Sequence, residues 1–83
     1  MTCHTIQRRR VRNAEAALDD CESVLGVDVL TPCEGPIGAW TVEATLAATG
    51  VPPAVSRAVA RAGLTVRTAG PRGGAWHLVA AAN

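Results

Sequence analysis

Apolar and polar positions change their spacing several times along the chain, and each change marks an element. Over residues 5–25, Val11, Ala14, Leu18, Cys21 and Leu25 recur three and four apart, while Arg8, Arg12, Glu15, Asp19 and Glu22 fall on other faces. That spacing predicts one amphipathic helix with its apolar stripe turned to a core. Beyond Gly26 the period shortens. Val27-Asp28-Val29-Leu30 reads as a strand, residues 31–38 hold a cluster of breakers, and Trp40-Thr41-Val42-Glu43-Ala44-Thr45-Leu46 alternates strictly. Pro52 and Pro53 stand where a second helix opens, Val55, Ala58, Val59 and Ala62 make its stripe, and Gly63 closes it. Residues 64–68 and 75–81 then alternate on either side of Gly70-Pro71-Arg72-Gly73-Gly74, as in a hairpin with a glycine-rich loop.

The two loops are alike. Gly35-Pro36-Ile37-Gly38-Ala39-Trp40 returns as Gly70-Pro71-Arg72-Gly73-Gly74-Ala75-Trp76 with one residue inserted, which suggests a doubled αββ unit. The fold class expected is α+β: a two-layer αββαββ sandwich, with a four-stranded antiparallel sheet and two helices on one face. Its strand order is that of a ferredoxin-like βαββαβ fold whose first strand is moved to the end. Trp40, Val42, Ala44, Leu46, Trp76, Leu78 and Ala80 then face the helices, and Thr41, Glu43, Thr45, Thr65, Arg67, His77 and Val79 line the open face. One domain spanning residues 1–83 is expected.

The alternative architecture is a winged helix. Residues 41–72 resemble a helix-turn-helix, with the last hairpin as its wing, and this resemblance implies that Ser56, Arg57 and Arg61 enter a major groove while Arg72 touches phosphate. Thr41, Val42 and Thr45 fit a strand better, so the sandwich is preferred. The whole chain also resembles small proteins of haloarchaea. The resemblance is carried by the Arg-rich opening into Asn13-Ala14-Glu15-Ala16-Ala17-Leu18, by Gly50-Val51-Pro52-Pro53, by Leu64-Thr65-Val66-Arg67 and by Pro71-Arg72-Gly73 before Trp76. Absence of lysine suits that source, whereas only seven acidic residues depart from it. What the resemblance implies is a single cytoplasmic domain, with no activity to carry over.

Composition narrows the chemistry. Of 83 residues 16 are alanine and none is Phe or Tyr, so ten Val, six Leu, two Ile, one Met and two Trp must build the core. So thin a core favours a homodimer. All eight basic residues are arginine, which excludes a phosphate-loop lysine and a Schiff-base lysine. Cys3, Cys21 and Cys33 form no close pair, and with His4 and His77 they lack the spacing of a zinc site, so reduced thiols, no metal and no cofactor are expected. No apolar run approaches the length of a membrane span, and a cytoplasmic location with no membrane partner is expected.

Charge is segregated: residues 1–12 carry +4, residues 13–34 carry −6 and residues 35–83 carry +3. Within helix one the order is backward, because arginines crowd the positive end of the helix dipole and acids the negative end. Two explanations stand. In one, the helix starts at Asn13 and residues 1–12 form a frayed basic arm. In the other, the helix pairs with that of a second copy, setting Arg8, Arg9 and Arg12 against Asp19, Asp20 and Glu22. Nucleic acid is expected to bind only weakly, since the acidic middle opposes phosphate. Glu43, Arg67 and His77 on the open sheet face are the candidates for acid–base chemistry or ligand binding. The function expected is a small non-enzymatic binding or assembly module that self-associates, with winged-helix DNA binding as the alternative.

Overall fold

A computed structural model describes residues 2–33 and 38–82. Residues 34–37, and with them Gly35-Pro36-Ile37 of the repeated loop, lie outside the described residues, as do the side chains of Cys3 and His4. The elements are α1 (Thr2–Asp19), β1 (Val24–Leu30), β2 (Thr41–Leu46), α2 (Pro53–Arg61), β3 (Leu64–Arg72) and β4 (Ala75–Ala82). The strands form one antiparallel sheet in the order β1-β2-β4-β3. Val11, Ala14 and Leu18 of α1 and Val55 and Val59 of α2 share a core with Val42, Ala44, Leu46, Leu78 and Ala80. Both helices therefore cover the same face, as the alternation predicts. Residues 41–46 are a strand, so the winged-helix alternative, which needs a helix there, is not the architecture.

Helix one differs at both ends from its expected span. The arginines lie inside α1 and not in a frayed arm, because Val11 anchors that half of the helix in the core. At the other end, Cys21 and Leu25 leave the helical stripe. The Cys21 N–H donates to the Leu18 carbonyl and the Val24 N–H to the Cys21 carbonyl, turning the chain into β1. Acids at the carbonyl end weaken any continuation of the helix, and Val24, Val27 and Val29 favour the strand.

Two β-bulges interrupt the alternation. Between Val24 and Gly26, Leu25 is the extra residue and is 65% exposed. Between Val66 and Thr68, Arg67 is the extra residue, so Thr68 and not Arg67 stands opposite Val79. Thr41 was expected to be solvated but is 0% exposed, its hydroxyl donating to the Ala39 carbonyl at 2.8 Å. The glycine-rich loop is also shorter than expected. Arg72 pairs with Ala75, leaving Gly73 (φ 59°) and Gly74 (φ 84°) as a two-residue turn that needs left-handed backbone at both positions.

Candidate functional site

The open sheet face is built in rungs by the strand register. One rung runs Asp28, Glu43, Val79, Thr68, and the next runs Gly26, Thr45, His77, Gly70. Glu43 and His77 are thus diagonal neighbours, while Arg67 sits one strand further, in its bulge. The register adds a residue the alternation missed: Asp28 stands directly opposite Glu43, a like-charge pair. Among the described residues no three His, Cys, Asp or Glu gather as a metal-ligand group. The Cys21 thiol donates to the Ala17 carbonyl at 3.5 Å, a helix back-bond and not a contact with a base.

On the other side of the molecule, α1 and α2 run antiparallel. The Arg10 side chain lies across Gly63 at the carbonyl end of α2, its Cδ 3.1 Å from where a Cβ on that glycine would stand. Asp20 shares an open groove of about 510 Å³ with Ala54 of the first turn of α2, and with Arg57 and Arg61. The backward charges of α1 are therefore forward with respect to α2. Arg10 lies at the carbonyl end of α2, and in the antiparallel arrangement Asp20, ten residues further along, falls toward its N–H end. Arg10, which the sequence did not single out, is the residue that reveals this. Arg57 and Arg61 line this groove with Asp20, and Arg72 stands at the far hairpin turn. Ser56, Arg57, Arg61 and Arg72 are all exposed.

The remaining charges of α1 divide by face. At about 100° per residue, Val11, Ala14 and Leu18 point to the sheet, and Arg10, Asn13 and Ala17 to α2. Arg8, Arg12, Glu15 and Asp19 lie on the third side. Arg12 and Glu15 touch there at 3.3 Å. Arg9 is on the back of the helix, and Glu22 stands beyond its end in the turn to β1. Both are exposed.

Below that third side runs β1, an edge of the sheet. The Ala47 N–H donates to the Ser23 carbonyl at 2.7 Å, which makes Val24 and Leu46 a non-hydrogen-bonded pair. Alternation through the bulge then turns the N–H and C=O of Val27 and Val29 outward, away from β2. The two edges of the sheet are not alike. β3 carries Pro71, Arg67, Arg72 and a bulge at its middle, all devices that discourage strand pairing. β1, of sequence Val-Leu-Gly-Val-Asp-Val-Leu, carries one charge and has its bulge near its start. No protein-family model, curated protein or solved structure matches the chain. No helix is long and apolar enough to cross a membrane.

Proposed function

We propose that the protein is a small non-enzymatic binding module that takes up an additional β-strand at the outer edge of β1. The observation that carries this reading is the contrast between the edges: β3 is blocked, whereas β1 offers outward main-chain groups at Val27 and Val29 beside exposed Leu25. Main-chain pairing supplies affinity in strand addition, and flanking side chains supply choice of partner. Duplex binding through Ser56, Arg57 and Arg61 draws less support, because Asp20 shares the groove with both arginines.

Amide exchange tests the reading, with a synthetic peptide of residues 23–31 as the added strand. The Val27 and Val29 amides should exchange at least tenfold more slowly than solvent-facing amides in the concentrated protein alone or with the peptide. Val27→Pro, which removes an outward N–H without breaking a bond to β2, should keep the fold and lose that protection. Fast exchange at both amides under both conditions would overturn the reading.

A further inference from the structure

We infer that the strand received at β1 is the β1 of a second copy, in an antiparallel pair whose two-fold axis passes at Val27, and that α1 of each copy reinforces this antiparallel pairing by charge. The inference rests on the strand-addition reading and names its partner. An antiparallel edge is complementary to itself under a two-fold axis, so the question is which register the side chains allow. An axis at Asp28 sets the two Asp28 carboxylates face to face, whereas an axis at Val27 sets Asp28 opposite Gly26. At Val27 the two copies also exchange their outward N–H and C=O groups as a hydrogen-bonded pair.

The helix layer points to a two-fold axis in the same stretch of β1. α1 packs on β1, so continuing the sheet through β1 brings the third side of α1 beside that of its mate, running antiparallel. Two strands span about 9–10 Å, which matches the 8–10 Å between packed helices. Along that side the order is Arg8, Arg12, Glu15, Asp19, two bases followed by two acids at spacings of four, three and four. A two-fold axis at the middle of this series sets Arg8 against Asp19 of the second copy and Arg12 against Glu15. From Asp19 to that midpoint is about 8 Å along the helix, at about 1.5 Å per residue. The same length of β1 measured from Val24, across the turn from Asp19, at about 3.3 Å per residue and with the bulged Leu25 adding little, falls between Val27 and Asp28. The charge order therefore places the axis in this stretch of β1, and the strand side chains choose Val27 within it. Arg12 and Glu15 already touch within one helix, which shows both ends of the inner pair on the side in question.

Light scattering with charge exchange tests this. The wild type at high micromolar concentration and low salt should have twice the 8.5 kDa of one chain. Arg8→Glu with Arg12→Glu makes the stripe all acidic, and Glu15→Arg with Asp19→Arg makes it all basic. Each double variant should dimerise at least tenfold more weakly, and an equimolar mixture should regain a heterodimer, a rescue that loss of fold would not produce. Val27→Cys, with Cys3→Ser, Cys21→Ala and Cys33→Ser, should cross-link two chains at position 27 under oxidised glutathione, since a hydrogen-bonded pair holds its Cα atoms about 5.5 Å apart. A monomeric wild type whose Val27 and Val29 amides are protected only by the added peptide overturns the second copy as partner and leaves strand addition standing. A monomer that also ignores the peptide overturns both. A dimer indifferent to both charge reversals overturns the charge pairing of α1, and one that does not cross-link through Val27→Cys overturns the register.

Discussion

Gly63 is held by two constraints at once. Its φ of 82° is a left-handed conformation, and the space a Cβ would occupy is taken by Cδ and Nε of Arg10, each 3.1 Å away. Gly63→Ala should therefore cost about 1–2 kcal/mol in urea unfolding from the backbone alone, and more from the contact. Combining it with Arg10→Ala should return the steric part and leave the backbone part. The Asp28/Glu43 pair errs in the other direction, because two carboxylates face each other across a rung with no cation on it. Asp28→Thr should raise stability by about 0.2–1 kcal/mol, read from the same unfolding curves near neutral pH and low salt.

At the scale of elements, the alternating strands and the 3.6-residue stripes were legible in the sequence, because burial on one face imposes its period on the side chains. The register was less so. A bulge inserts one residue without changing composition, so Arg67 could not be told from an ordinary strand position and Leu25 read as the end of the helical stripe. The charge order of α1 was visible as an anomaly, but its resolution needed α2 beside it, running the opposite way. Asp20→Asn and Arg10→Gln should each lower stability by about 0.3–1 kcal/mol at low ionic strength, with the loss shrinking as salt is added. The hairpin turn has its own expectation. Gly73→Asn should leave the melting temperature nearly unchanged, since asparagine is favoured at the first position of such a turn, whereas Gly73→Val should lower it.

At the scale of the whole molecule, a small alanine-rich core gives a narrow margin of stability, to which any association at an edge would add. If a second copy covers β1, the melting temperature rises with protein concentration, and Val27→Pro abolishes that dependence while keeping the far-UV circular dichroism of the folded chain. A concentration-independent wild type would count against self-association.

The sequence by itself determined the α+β class, the order of helices and strands, the inward residues of β2 and β4, and the stripe Val11, Ala14, Leu18. Each is a consequence of local period, and local period survives in the order of residues. Only the tertiary structure decided where α1 yields to β1, that Thr41 is buried, that Asp28 faces Glu43 and that α2 takes up Arg10 and Asp20. These depend on which residue of a distant segment stands opposite, and a chain's own periodicity holds no record of its partner's register. The edge position of β1 belongs with them, since an edge exists only once the other three strands have been placed.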